Sequence, residues 1–125
     1  MTNNTNLSAT PISVDDVDAA VSFYRDGLGL QVKLDVPNGE SRWVTLGTDE
    51  PGSDIVLSPP GAGRSPEDGE ALARLVAKGA MGPYIFVTAD LDAQYEKLVA
   101  SGAEVLQEPV DQPWGPRDCA FRPAT

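Results

Sequence analysis

Apolar and polar positions along the first half of the chain predict a strand, a helix and three further strands. Residues 12–14 alternate with the period of two that is typical of a strand. An apolar stripe with helical spacing then covers residues 17–28, with Asp15 or Asp16 as its N-cap and glycines at 27 and 29 ending it. The first half is therefore predicted to be a β-α-β-β-β unit, with its last three strands at 31–36, 41–46 and 54–58.

The alternation within these strands also predicts which side chains share a face. Unbroken alternation at 31–36 places Val32, Leu34 and Val36 together on one face. A turn at residues 37–39 connects this strand to the next as a hairpin. In that next strand, two sets of residues occupy opposite faces: Arg42, Val44 and Leu46 on one, and Trp43 and Thr45 on the other.

The second half of the chain repeats the same order of elements. Residues 84–87 predict a strand, Asp90 is a helix N-cap, and the apolar stripe of residues 91–99 ends at Gly102. The order of the first half would then require three strands, and the sequence provides two of them. These two strands are predicted at 103–107 and 118–122.

The spacing of matching residues indicates that the two halves arose by duplication. Asp16 and Asp90 begin the similar tetrapeptides DVDA and DLDA, 74 residues apart. The glycines that end the two helices, Gly29 and Gly102, are 73 residues apart. Because the register holds through the whole helix, an internal repeat is the simplest interpretation.

The length of 125 residues predicts a single domain over residues 1–125. Within it, the first unit is assigned to residues 8–60 and the second, incomplete unit to 82–125. Residues 61–81 are predicted to be a linker with a short helix, since Ser65 is a suitable N-cap and Pro66 suits the first helical position.

Composition restricts the chemistry available to the chain. It carries a net charge of −10, which opposes nucleic-acid binding and suits either solubility or attraction of a cationic small molecule. There is no histidine and a single cysteine, Cys119, which excludes Cys–His and Ser–His pairs and cysteine-based zinc clusters. With no histidine to activate it, Cys119 is interpreted as a small buried apolar residue.

The sequence predicts a protein that does not cross a membrane. No apolar run approaches the roughly 20 residues that a spanning helix needs. The first residues are polar and lack the basic and apolar regions of a signal peptide. A cytoplasmic location is therefore expected.

Several short motifs accompany the duplication. They are Asp16–Ala19, Phe23-Tyr24, Leu28-Gly29, Asp90–Ala93, Trp114-Gly115, Arg117 and Phe121-Arg122. Together they resemble the vicinal oxygen chelate superfamily, which includes glyoxalase I, extradiol dioxygenases, fosfomycin resistance enzymes and bleomycin resistance proteins. The resemblance implies an α+β fold with two tandem β-α-β-β-β units, which form a curled mixed sheet around a central cup. The second unit would lack its last strand.

The resemblance also implies where a catalytic metal would be held in this superfamily. Three of the four ligand positions fall on Ala9, Val56 and Pro83, and the fourth falls after the last residue of the sequence. None of the three side chains can hold a metal, and the nearby Asp54 and Tyr84 do not complete a site. We therefore expect no metal and no other cofactor.

Seven residues are predicted to contact a ligand, each with an alternative role. Trp43 stacks on a planar or cationic ligand or belongs to the core, and Asp54 attracts a cation, acts as an acid or base, or is merely solvated. Arg42 and Arg117 bind a carboxylate or phosphate or are solvated. By the resemblance, Trp114 borders the ligand groove, while the alternative is that it anchors its turn. The remaining two are Val56, at a family ligand position, and Ile85, on the strand where either Ile85 and Val87 or Tyr84 and Phe86 line the cup.

Two functions from different classes fit these features. The first is a metal-free binder that sequesters a cationic or aromatic antibiotic, working as a homodimer with clefts at the subunit interface. The alternative is a glyoxalase-like lyase or isomerase, or a biosynthetic enzyme, that uses Asp, Glu or Tyr as acid or base. A subunit with a vestigial cup is a third possibility.

Overall fold

The computed structural model describes residues 4–39, 41–50 and 52–123. Its described elements group into two compact units. Unit 1 comprises the residues up to Val17 together with Leu30–Ala80, and unit 2 comprises Asp18–Gly29 together with the residues from Met81 onward. The elements are β1 (Ala9–Ser13), α1 (Val17–Ser22), a π-helical segment (Phe23–Gly27), β2 (Gln31–Asn38), β3 (Ser41–Gly47), β4 (Asp54–Ser58), α2 (Pro66–Ala77), α3 (Leu91–Ala100), β5 (Glu104–Asp111) and β6 (Arg117–Arg122).

Unit 1 is built on a mixed four-stranded sheet with the order β1-β4-β3-β2. β1 and β4 are parallel, whereas β3 is antiparallel to both of its neighbours. Val44 and Leu46 of β3 pair with Leu57 and Ile55 of β4, and all four side chains are buried. The core of unit 1 therefore lies on one face of this sheet, where Ile12 of β1 joins these four residues.

A β-bulge in β2 changes the predicted faces of that strand. Val32 pairs with Leu46, but Leu34 pairs with Thr45, the next residue of β3. Lys33 is therefore an extra residue on β2 between these two pairs. The prediction that Val32, Leu34 and Val36 share a face is therefore wrong. Val32 lies on the face of Leu46, and Leu34 and Val36 lie on the opposite face because the bulge reverses the alternation.

Two predicted N-caps are present in the structure. The Ser65 side chain accepts a hydrogen bond from the backbone N–H of Asp68, and α2 begins at Pro66. The Asp90 carboxylate accepts one from the backbone N–H of Ala93 and begins α3. These local signals were readable in the sequence because a cap depends on residues three positions apart.

The helical region of residues 17–28 belongs to unit 2 apart from its first residue, although its sequence is part of the first repeat. It is not one α-helix as predicted, since six residues of α-helix pass into the π-helical segment. The side-chain amide of Gln94 on α3 donates to the carbonyl oxygen of Gly27 at 2.6 Å. Gly27 also lies against the buried Leu98 of α3. These contacts explain why the segment groups with the second half of the chain.

Aromatic pairs complete the packing within unit 2. The Tyr24 and Phe86 ring centroids are 6.2 Å apart, and those of Tyr95 and Phe121 are 5.5 Å apart. Tyr24 is buried, as expected for a core residue, and burial together with the nearby Tyr84 raises its pKa to about 12. Its hydroxyl therefore remains protonated at neutral pH.

The strand predicted at residues 84–87 does not form. In unit 1, β1 pairs with β4, but the described part of unit 2 contains only β5 and β6 as strands, and they pair with each other. Residues 84–87 therefore have no strand to pair with among the described residues. The α+β class is nevertheless confirmed, with a mixed sheet of four strands and a second, smaller sheet.

The close contact between Gly27 and α3 gives a stability prediction. A Cβ atom at position 27 would lie 2.9 Å from Leu98 Cδ2 and 3.1 Å from Ser101 Oγ. We expect Gly27→Val to lower the free energy of unfolding by about 1–3 kcal/mol, because the added groups overpack a buried contact. Urea denaturation of the purified chain measures this change.

Gly61→Ala is the matched control, since nothing lies within 4 Å of a Cβ atom at that position. We expect its effect on the unfolding midpoint to be much smaller. Equal midpoints for wild type and Gly27→Val would contradict the packing described for unit 2.

Candidate ligand-binding face

The sheet of unit 1 has a second face opposite its buried core. Strand alternation and register place Leu34 and Val36 of β2, Trp43 and Thr45 of β3, and Val56 of β4 on it. We call this surface the Trp43 face. Leu34 pairs with Thr45, which pairs with Val56, and Val36 pairs with Trp43. These pairs form two adjoining rows across the strands.

Three apolar side chains of the Trp43 face remain accessible to solvent. Trp43 is 44% exposed, and Leu34 and Val36 of the neighbouring strand are 45% and 39% exposed. An aromatic ring beside two aliphatic side chains on a rigid sheet is a suitable surface for a flat apolar group. The structure thus gives Trp43 an accessible position rather than a core position.

An ion pair lies at the end of the Trp43 face where β4 begins. Lys33 Nζ donates to Asp54 Oδ1 at 2.9 Å, and both side chains are partly buried. The carboxylate of Asp54 occupies the space that a side chain at Gly47 would need, so this glycine allows the carboxylate to lie against β3. Sequence reasoning identified Asp54 but missed Lys33, because a bulge in β2 brings the lysine to this position.

Arg42 lies on the opposite face of β3 from Trp43. Its guanidinium makes a bidentate ion pair with the Asp35 carboxylate, at 3.1 and 2.9 Å. The hydrogen bond from Arg42 lowers the pKa of Asp35. The structure therefore does not bring Arg42 and Trp43 together, and the guanidinium is already engaged with a carboxylate.

Val56 is in the middle of the Trp43 face but is almost fully covered. It is 5% exposed and is flanked by Thr45 of β3 and Pro11 of β1. In this conformation Val56 packs beneath the exposed side chains of the Trp43 face. Direct contact between Val56 and a ligand would require its neighbours to move.

Of the residues predicted in unit 2, Ile85 and Trp114 are exposed. Ile85 is 91% exposed, and its neighbour Phe86 points the other way, towards Tyr24. Trp114 is 74% exposed and belongs to the turn between β5 and β6, which is closed by a hydrogen bond from the Gln112 N–H to the Pro116 carbonyl. The turn is thus held by its backbone rather than by the indole ring.

Arg117 joins β6 to α3 and β5. Its guanidinium donates to Asp92 at 2.9 and 3.3 Å and to Asp111 at 3.3 Å. The hydrogen bond from Arg117 lowers the pKa of Asp92. Arg117 therefore has a structural role within unit 2, with its donors directed to two carboxylates of the same chain.

The described residues also limit metal and membrane interactions. Among them, no group of three or more His, Cys, Asp or Glu side chains is arranged to hold a metal ion. None of the helices in the described ranges has the length and apolar character required to span a bilayer.

Cys119 is half-buried, and burial raises the pKa of its thiol.

Comparison with known proteins agrees with this architecture. UcmS2 has a solved structure that is 36% identical, with a TM-score of 0.82, and the alignment covers 97% of this chain and 92% of that one. TnmS3, an antibiotic binding protein from Streptomyces sp. CB03234, is 22% identical with a TM-score of 0.73, over 98% and 90% of the two chains. At that identity it supports the fold alone.

Sequence comparison identifies the family directly. The uncharacterized protein YurT of Bacillus subtilis (strain 168) is 33% identical over 105 residues, which are 82% of this chain and 80% of that protein. Residues 6–123 match the sequence model of one protein family. The chain belongs to the Glyoxalase/Bleomycin resistance protein/Dioxygenase superfamily.

Proposed function

We propose that this protein binds a small aromatic molecule on the Trp43 face and holds it without catalysing a reaction. The observation that carries this proposal is the exposed row of Trp43 and Val36, which adjoins Leu34 on the same face. Apolar surface that is exposed on a rigid sheet commonly marks a site of interaction. An indole ring adds stacking energy that aliphatic side chains alone do not provide.

The ion pair at the end of this face indicates which polar groups the ligand would carry. Asp54 is paired with Lys33, so its negative charge is largely compensated and does not favour a cation at this position. The pair still offers N–H donors on Lys33 and acceptor oxygens on Asp54. An aromatic molecule with both an acceptor and a hydroxyl or amide donor at one edge would match it.

We propose that binding does not depend on a metal. Three of the four metal-ligand positions that the family resemblance implies fall on Ala9, Val56 and Pro83, whose side chains contain no donor atom. The related fold of TnmS3 belongs to an antibiotic binding protein, which makes antibiotics a sensible first class of ligand to test. Sequestration of such a compound in the cytoplasm is the role we propose for the protein.

We further propose that the protein works as a homodimer. Ile85 and Val87 are 91% and 97% exposed on a segment that has no strand partner among the described residues. Exposed apolar side chains on an unpaired extended segment favour association with another chain. A second copy of the chain is the partner we propose.

The first prediction from the proposed function concerns Trp43 as the ligand contact. In a Trp114→Phe variant, Trp43 is the remaining tryptophan, and titration with a panel of planar aromatic and cationic glycopeptide antibiotics should quench its fluorescence. We expect Trp43→Ala to weaken the affinity of a bound compound roughly tenfold, because stacking and apolar contact are lost. Calorimetry measures the affinity of this variant.

Arg42→Ala is the control, since Arg42 lies on the other face of the same strand. It should leave the affinity nearly unchanged, and so should EDTA. A panel that produces no quenching, or equal affinities for wild type and Trp43→Ala, would contradict the proposed site. Chemical conversion of a bound compound would contradict the non-catalytic role.

The second prediction concerns the dimer. We expect the wild-type chain to sediment as a dimer and Val87→Glu to sediment as a monomer, because a charge would be introduced into the contact. Val110→Glu is the matched control, as Val110 is 43% exposed on β5 and the change in charge is the same. A monomeric wild type, or equal dissociation of both variants, would count against this interface.

A further inference from the structure

The carboxylate of Asp118 lies on the face of β6 that is turned away from α3. On the α3 side, the ring of Phe121 contacts Tyr95 and the guanidinium of Arg117 contacts Asp92. The register shifts of this hairpin come from extra residues on β5, so side chains alternate without interruption along β6. Asp118 therefore points to the side opposite Arg117 and Phe121. Asp118 itself is half-buried.

Two glutamine side chains hold this carboxylate in place. The Nε2 of Gln107 on β5 donates to Asp118 Oδ1 at 2.8 Å, and the Nε2 of Gln112 in the following turn donates to the same oxygen at 2.7 Å. Gln107 also donates to the backbone carbonyl of Asp118 at 3.2 Å. The hydrogen bonds from Gln112 and Gln107 lower the pKa of Asp118, so the group is ionised at neutral pH.

The charge of Asp118 differs from that of the other paired carboxylates. Neutral amides hold Asp118, so its negative charge is fixed in position but not compensated. Among the described residues, no Lys or Arg forms an ion pair with it. By contrast, other carboxylates of the described residues contact a Lys or Arg, among them Asp26, Asp35, Asp54, Asp92, Glu104 and Asp111.

The acceptor atoms that remain match a specific donor group. Oδ1 accepts two hydrogen bonds, which leaves Oδ2 as an acceptor. Because both glutamines donate through Nε2, their side-chain carbonyl oxygens keep their capacity as acceptors. An ammonium group has three N–H donors and no acceptor, so it suits one charged and two neutral oxygens.

We propose that Asp118, Gln107 and Gln112 form a binding site for the primary ammonium group of a small cationic molecule. This site lies in unit 2 and does not depend on the aromatic ligand proposed for the Trp43 face of unit 1. The net negative charge of the chain suggested attraction of a cationic molecule. The proposed site assigns that attraction to Asp118 rather than to Asp54, whose charge Lys33 compensates.

A titration of the full chain with n-butylammonium tests the site, with n-butanol as the neutral probe of similar shape. In an NMR spectrum of nitrogen-labelled protein, n-butylammonium should shift the side-chain NH₂ signals of Gln107 and Gln112 and the backbone amide of Asp118. Butanol should shift them much less, because a charged hydrogen bond is stronger than a neutral one. Equal shifts with both probes would overturn the proposal.

Two variants and a control distinguish this site from general attraction to an acidic protein. Asp118→Asn should weaken n-butylammonium binding roughly tenfold or more, and Gln112→Met should weaken it by a smaller factor. Glu108→Gln removes the same charge from β5 near Tyr95, on the α3 side, and should bind as the wild type does. Thermal unfolding of each variant verifies that the chain is folded.

Three further results would reject the ammonium site. One is undiminished binding by folded Asp118→Asn, and another is an equal loss in Glu108→Gln. The third is displacement of n-butylammonium by Ca²⁺ at lower concentration with shifts of the same signals, which would identify an oxygen-lined metal site instead. Since none of these measurements involves Trp43, failure here leaves the aromatic site untouched.

Discussion

The register of β3 against its two neighbours determines what unit 1 buries and what it exposes. Because side chains alternate along a strand, the pairs that bury Val44 and Leu46 also expose Trp43. A slip of one residue would reverse both faces and place the indole in the core. Burial of the apolar face therefore also determines where the proposed binding surface lies. No further interaction is needed to place Trp43 on the opposite face.

The two sheets differ in which groups hold their carboxylates, and the net charge of the chain does not reveal this difference. In unit 1, the bulge at Lys33 brings an ammonium group to Asp54 and compensates the carboxylate on the Trp43 face. In unit 2, the amides of Gln107 and Gln112 orient Asp118 without cancelling its charge. The net charge of −10 thus gives no guide to which carboxylate attracts a cation. The partner of each carboxylate decides that.

Unit 2 shows how far a strand depends on its neighbours. Residues 84–87 have the apolar and aromatic composition of a strand, and their counterpart in unit 1 pairs with β4. The described part of unit 2 has no such neighbour, so these residues form no ladder and Ile85 and Val87 face solvent. By contrast, the π-helical segment does have a partner in unit 2, since Gln94 and Leu98 of α3 contact it at Gly27.

The sequence by itself determined the α+β class, the N-caps Ser65 and Asp90 and every paired strand to within a few residues, because these features depend on neighbouring positions. It also identified the family resemblance, which the match over residues 6–123 confirms. Only the tertiary structure decided that Lys33 reaches Asp54, that Arg42 and Arg117 are already paired, and that Gln107 and Gln112 hold Asp118. These outcomes follow from a bulge and from contacts up to 25 residues apart, which local alternation does not encode.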